Sequence, residues 1–348
     1  MSQLEKVAIQ NFRCVGGAHY VQVGLSYQVF GRPIHTAPVI LVNHALTGNS
    51  DLNSKSKGWC KDLVGPDKLL DTDRYTVIAF NIPGNGYDGY LIKNYKDFEI
   101  RDIARLFILG LKHLGIHKLH AILGGSLGGA IAWEMVIEEP KLSTYLIPLA
   151  SDWKSTDWMI GHCHIQENIL LNSSQPIQDA RKMAMLFYRT SQAFNQRFNR
   201  KSTRKADTFD VISWLDAHGE KLNKRFKLHA YLLMNHLLKN HDITKGRGSF
   251  EDCIQNLETK IVQVGISSDI FFTPNSVGIE ELEEAAHKGV SVNIDNLDVL
   301  ELFAQKFPNK SVCIRINPHI MAGGNLKISV GHIDSKFGIS IHQLPHVL

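Results

Sequence analysis

The sequence predicts an α/β protein: a mainly parallel sheet covered by helices on both faces, with a helical insertion standing over the sheet. Three observations carry this. The first half alternates short β-branched apolar runs with amphipathic segments of helical period. Residues 151 to about 240 lose the strand-like runs and keep only helical spacing. After residue 260 the alternation of strands and helices returns.

Taken in order, Tyr20–Phe30 reads as an alternating strand, and Pro38–Asn43 as a short buried one, β-branched at Val39, Ile40 and Val42. Tyr75–Asn81 is another buried run, stopped by the turn formers Pro83-Gly84-Asn85-Gly86. Over Asp97–Leu114, the residues Ile100, Ile103, Leu106, Phe107, Leu111 and Leu114 share one helical face. Lys118–Leu123 is expected as a strand and Leu127–Glu138 as a helix. From Ser151 to about Asn240 no strand is expected. Beyond it the reading is strand Lys260–Ile266, helix Gly278–Lys288, strand Val290–Ile294, helix Asn296–Phe307 and strand Ser311–Asn317.

Composition narrows the function classes. The 348 residues are 44% hydrophobic and 21% charged, which excludes a disordered or collagen-like chain. Lysine and arginine number 38 against 34 acids, a net +4 too mild and scattered to indicate nucleic acid. No apolar run approaches the ~18 residues needed to span a bilayer, and Met1–Lys6 does not read as a signal peptide. Five cysteines without a C-x-x-C pair suit a reducing compartment, so the expected location is the cytoplasm.

The most specific local signal is Leu123-Gly124-Gly125-Ser126-Leu127-Gly128-Gly129. It contains G-x-S-x-G between an expected strand and an expected helix, the context of a nucleophile elbow. Flanking glycines permit a turn too tight for Cβ atoms, and the serine hydroxyl projects from the end of the sheet. The Leu127 N–H would then face the oxyanion, aided by the positive end of the helix. A glycine-rich strand–helix turn that binds phosphate or nothing is the alternative. Asn43-His44-Ala45-Leu46-Thr47-Gly48 follows an early buried strand, where α/β-hydrolases place their second oxyanion donor; Leu46 N–H is the candidate. His44 is expected as a hydrogen-bonded loop histidine without a chemical role. Asp269 ends Gly265-Ile266-Ser267-Ser268-Asp269, where a triad acid would orient the histidine; a helix cap is the other reading.

These residues sit within a wider pattern. Asn43–Gly48, Asp62–Pro66, Leu70–Tyr75, Gly124–Gly129, Tyr188-Arg189-Thr190, Arg197-Phe198, Gly219–Leu222 and His241–Gly248 resemble homoserine O-acyltransferases, from near residue 20 to about 270. The resemblance implies an α/β-hydrolase fold with a helical lid. It implies acyl transfer from acetyl-CoA or succinyl-CoA to homoserine through an acyl-serine on Ser126, without a permanently bound cofactor. It makes Asp269 the triad acid, places Arg189 in the tunnel holding the substrate carboxylate, and makes the lid helices a homodimer contact. An arginine fork suits a carboxylate; a salt bridge within the lid is the alternative for Arg189. Two motifs depart from the family. Its N-V-L-G-G segment reads Asn81-Ile82-Pro83-Gly84-Asn85, and its R-F-D-A-N-S-Y reads Arg225-Phe226-Lys227-Leu228-His229-Ala230-Tyr231.

The family's closing G-H-D, which supplies the triad histidine, has no counterpart after Ile294: no histidine occurs between His287 and His319. His287 falls in an amphipathic helix and reads as a surface residue. His332, in Val330-Gly331-His332-Ile333, is the candidate base, 63 positions beyond Asp269; His319, His342 and His346 are the others. The tail resembles a second family. Phe271–Asn275, Val292–Asn296, Arg315–Pro318, Ala322–Ser329 and Ser335–Ile339 are similar to diaminopimelate decarboxylase, a pyridoxal-phosphate β/α-barrel enzyme. That family's Y-A-x-K-A-N lysine motif is absent, so pyridoxal-phosphate (PLP) chemistry is not expected. The chain therefore reads as a join of two families near Ile266–Pro274. Its expected parts are 1–150 (first part of the hydrolase core), 151–255 (lid), 256–295 (last core strands) and 296–348 (decarboxylase-like tail). The expected partners are small molecules, acyl-CoA and homoserine. A catalytically inactive relative of the same fold and an α/β-hydrolase esterase are the alternative functions.

Overall fold

A computed structural model describes residues 2–56, 58–203 and 208–265, and further on 282–283, 286–287, 292–294, 297–310, 312–314, 316–317 and 339–340. The chain divides into two compact units, Met1–Thr259 and Lys260–Leu348.

In the first unit the strands are β1 (Glu5–Arg13), β2 (His19–Gly31), β3 (Val39–Asn43), the short pair β4 (Val64–Gly65) and β5 (Leu70–Asp71), β6 (Thr76–Phe80), β7 (Leu119–Gly125) and β8 (Ser143–Leu149). The main sheet runs β1-β2-β6-β3-β7-β8. β1 and β2 form an antiparallel hairpin, and β2 pairs antiparallel with β6. From β6 through β3 and β7 to β8 every pairing is parallel. Central strands β3 and β6 are buried at all positions, as continuous apolar runs in a sheet covered on both faces must be. Helix α1 (Ile100–His113) closes its N-terminus with a capping box between Glu99 and Asp102, and α2 (Leu127–Glu138) is buried through Val136. A Cβ on Gly110 of α1 would stand 2.5 Å from Leu25 and 3.1 Å from Phe80, so glycine sets how closely helix and sheet approach.

The lid comprises α3 (Asp157–Asn172), α4 (Pro176–Phe187), α5 (Ser191–Phe198), α6 (Asp210–Asn223) and α7 (Leu228–Lys239). Polar bonds tie its helices together: Asn235 Nδ2 donates to Cys163 O at 2.8 Å, and the Tyr231 hydroxyl to Gln166 Oε1 at 3.1 Å. The expectation that this region holds no strand is corrected by β9 (Ser202–Thr203) and β10 (Thr208–Phe209), which pair antiparallel. Two-residue strands are too short to show a period of two. A final helix, α8 (Phe250–Ile254), ends the first unit with a Ser249–Asp252 capping box.

In the second unit, the described residues include a parallel pairing of Asn293–Ile294 with Cys313–Ile314 and a helix over Leu297–Lys306. Ala286, Val292, Ile294, Leu300 and Phe303 form an apolar cluster, with Leu282, Leu297 and Phe307 packed on it. His287 is exposed, its ring edge-on to Phe307 at 5.0 Å.

Candidate active site

Parallel register brings three strand ends to one edge of the sheet. Asn43 of β3 lies opposite Gly124 of β7, and Gly125 opposite Leu149 of β8. The chain leaving β3 therefore enters the turn at Leu46 beside the chain leaving β7, which reaches Ser126 one residue later.

Ser126 adopts φ 52°, ψ −121°, a left-handed backbone that costs a non-glycine residue about 1–3 kcal/mol. Its surroundings enforce this. Ser126 N donates to Leu149 O at 2.9 Å, and its own carbonyl accepts from the Gly129 and Ala130 N–H groups at 2.8 and 3.1 Å. The residue is partly exposed, outside the packed core. A Cβ on Gly124 would lie 2.1 Å from Gly128 O, and one on Gly128 2.4 Å from Asn43 O and 2.8 Å from His44 O. Both glycines are required by close backbone approach. Leu127 is the first residue of α2, where a helix offers its N–H no acceptor.

Leu46 lies in a β-turn closed by Gly48 N donating to Ala45 O at 2.8 Å, next to the elbow. His44 is 1% exposed, and burial pushes its pKa down to about 4, so the ring is neutral near pH 7. Its Nε2 accepts from Ile82 N at 3.1 Å, which leaves the proton on Nδ1, 2.8 Å from Ala45 O. The histidine is thus a hydrogen-bonded loop residue, as its sequence position suggests.

Arg189 lies in the connection between α4 and α5 and is exposed. A neighbouring lid segment makes a contact that sequence reasoning missed. Arg225, between α6 and α7, donates from Nη1 to Thr47 O at 2.8 Å, so the lid touches the turn that carries Leu46. Burial and the charge of Arg181 lower the pKa of Arg225. The one available signal was Arg225 heading a motif that departs from the family. Asp269 and His332 lie outside the described residues, as do His319, His342 and His346. Among the described residues no group of three or more His, Cys, Asp or Glu could hold a metal ion, and no helix is long and apolar enough to cross a membrane.

The segment His241–Gly248 is fastened from two sides. His241 Nε2 lies 3.0 Å from Asp152 O, and Ile243 N donates to Trp153 O, at the entry to the lid. Arg247 pairs with Glu134 at 2.8 Å and with Glu138, both on α2, the helix that starts at the elbow. Burial raises the pKa of Glu134, against the pull of Arg247 and Arg101.

Comparison with known proteins agrees with this geometry. Residues 38–238 match the α/β hydrolase fold family, and residues 243–348 match the pyridoxal-binding domain of pyridoxal-dependent decarboxylases. A homoserine O-acetyltransferase of Trichormus variabilis is 31% identical over 291 residues, 76% of this chain and 79% of the relative. Among solved structures, homoserine O-acetyltransferase from Bacillus anthracis superposes with a TM-score of 0.72 at 18% identity, covering 82% of this chain and 88% of the other. Esterase E22 gives 0.70 at 18% identity, covering 83% and 90%. Strand order, elbow and lid are those of an α/β hydrolase, and the identity extends over more than two thirds of a curated relative; the chain belongs to the homoserine O-acetyltransferase family.

Proposed function

We propose that the protein transfers an acetyl group, with succinyl as the alternative donor, from acyl-CoA to the hydroxyl of homoserine. The observation that carries this is the strained Ser126 backbone at the head of α2, beside the turn bearing Leu46. In the first half-reaction Ser126 Oγ gives its proton to the general base and attacks the thioester carbonyl. The Leu46 and Leu127 N–H groups donate to the oxyanion. The C–S bond then breaks, and the coenzyme leaves as a thiol with the proton from the base. In the second, the homoserine hydroxyl loses its proton to the same base and attacks the acyl-serine. The ester bond to Ser126 breaks and Oγ is reprotonated. Asp269 and His332 are the acid and base in this reading, and Arg189 takes the acceptor's carboxylate. Pyridoxal phosphate has no part in it, since the sequence lacks the lysine motif that would hold the cofactor.

Thiol release from acetyl-CoA in the presence of homoserine tests the proposal. It should require Ser126; release that survives Ser126→Ala would overturn it. The likeness to an esterase fold favours hydrolysis as the second reading. Homoserine that accelerates thiol release over water selects the transferase, and homoserine without effect selects the hydrolase. Acyl-CoA binding without an acyl-serine detectable by mass spectrometry selects an inactive relative. Trp158, Ile165 and Leu171 of α3 are exposed, which supports a homodimer through the lid; sedimentation at micromolar concentration tests it.

A further inference from the structure

A buried polar chain runs through the first unit and ends on the turn that bears Leu46. It starts on β2, where Ser50 Oγ donates to Gln28 Oε1 at 2.7 Å and Asn81 Nδ2 donates to Ser26 Oγ at 3.0 Å. Asn81 Nδ2 also reaches Ser50 Oγ at 2.9 Å, and Asn81 Oδ1 accepts from Ser50 N and Asn85 Nδ2. Asn85 Nδ2 lies 3.3 Å from His44 Nε2, the atom that accepts from Ile82 N. All six side chains are under a tenth exposed. Such a chain costs desolvation at every member and, when its members are satisfied, rigidifies the groups it joins.

That end is a single peptide group. The Ala45 carbonyl and the Leu46 N–H belong to one planar trans unit and point in opposite directions. The carbonyl accepts from Gly48 N at 2.8 Å and faces His44 Nδ1 at 2.8 Å. Two donors at the carbonyl edge of that plane fix the direction of the N–H at its opposite edge. His44 can donate there only from the Nδ1–H tautomer, which the Ile82 N–H selects by occupying Nε2.

We infer that His44 is a positioning residue for acyl transfer: its Nδ1–H, held in that tautomer by Ile82 N and backed by Asn85 and Asn81, locks the Ala45–Leu46 peptide so that the Leu46 N–H meets the oxyanion. The inference rests on the acyl-serine reading of Ser126 and adds a group that touches neither substrate nor reacting atoms. It separates two roles of the side chain. The Asn side-chain nitrogen can occupy the place of Nδ1 and preserve the bond to Ala45 O; Gln reaches the place of Nε2; Leu supplies neither.

The first experiment measures acylation by acetyl-CoA in wild type, His44→Asn, His44→Gln and His44→Leu, with thermal unfolding of each. Loss of one oxyanion donor lowers kcat by about 10²–10³-fold. His44→Leu should show that loss in kcat, with KM for acetyl-CoA changed less than about threefold. His44→Asn should recover at least tenfold over His44→Leu. A loss confined to KM, or equal activity in the Asn, Gln and Leu variants, would overturn the inference.

The second experiment needs no variant. Wild-type protein is treated with a fluorophosphonate, and amide NMR spectra are compared before and after. Phosphonylation at Ser126 with a shifted, exchange-protected Leu46 amide is expected. Phosphonylation with Leu46 unmoved removes the inference and leaves the nucleophile standing. Absence of any adduct on Ser126 removes the acyl-serine reading, and the inference with it.

Discussion

Residues up to Thr259 and residues from Lys260 onward use the same local grammar of strand and amphipathic helix, yet they specify their fold to different degrees. In the second unit, the described residues form a small βα cluster around Ile294, Leu300 and Phe303. A parallel strand pair with a helix packed beside it serves an open doubly wound sheet and a closed barrel equally well. In the first unit the contacts admit one arrangement: Gly128 against the carbonyls of Asn43 and His44, the chain from Ser26 to His44, and Arg247 on α2. The two family matches differ in the same way. The decarboxylase-type match begins at residue 243, yet Arg247 is anchored to Glu134, and Thr259 Oγ1 donates to Ser143 O at 2.8 Å. Residues 243–259 are therefore packed as part of the hydrolase. Family likeness along a chain and structural membership need not change at the same residue, because packing is decided by partners distant in sequence.

Four measurements would break or sharpen this contrast. The largest effect is expected at the elbow: Ser126→Ala should lower acetyl transfer by about 10⁴–10⁶-fold without loss of folding, read as thiol release beside circular dichroism. Next comes the region beyond residue 260. Asp269→Asn should cost about 10⁴-fold in kcat, and single alanine substitutions at His319, His332, His342 and His346 should produce a comparable loss only at His332. If none of the four histidines matters, the second unit supplies no base, and the contrast becomes one between a catalytic and a non-catalytic part. A smaller effect is expected from Arg247→Met, which leaves Glu134 and Glu138 of α2 with Arg101, at 3.7 and 3.9 Å, as their neighbouring cation. The expected loss is ~1.5–3 kcal/mol in a urea titration; a loss under about 1 kcal/mol would show that the segment 241–248 is not needed to hold α2.

The smallest effect is graded with pH. Burial holds His44 and His241 at about 4, below the usual 6.5, so the unfolded chain binds more protons than the folded one between those values. Stability is complete above about pH 6.5 and is lost as pH falls toward 4, with a slope of ~1.4 kcal/mol per pH unit for each fully buried histidine. Denaturant midpoints from pH 7 to 4.5 should fall along this slope. His44→Asn should flatten it, and an unchanged slope would remove His44 from the account.

The elbow at Ser126, the proposed nucleophile, was legible because its signal is local. Glycines, strand and helix within seven residues define the elbow at Ser126 and the adjacent Leu127 N–H, and helix α2 spans the Leu127–Glu138 expected from the sequence. Strand β1, whose buried Val7, Ile9 and Phe12 give only a partial alternation, and β8, interrupted by Pro148, escaped the same reasoning. The lid contact of Arg225 on Thr47 also escaped it, since the partners stand 178 positions apart.

By itself the sequence determined the α/β class and the glycine-flanked turn at Ser126, since periodicity and glycine conformation act over a few residues. Only the tertiary structure decided that His44 is neutral, which of its nitrogens carries the proton, and which peptide that proton holds. Those properties come from Ile82 and Asn85, 38 and 41 positions away, and from the exclusion of water around all three. Tautomer and pKa belong to an environment, and folding alone assembles it.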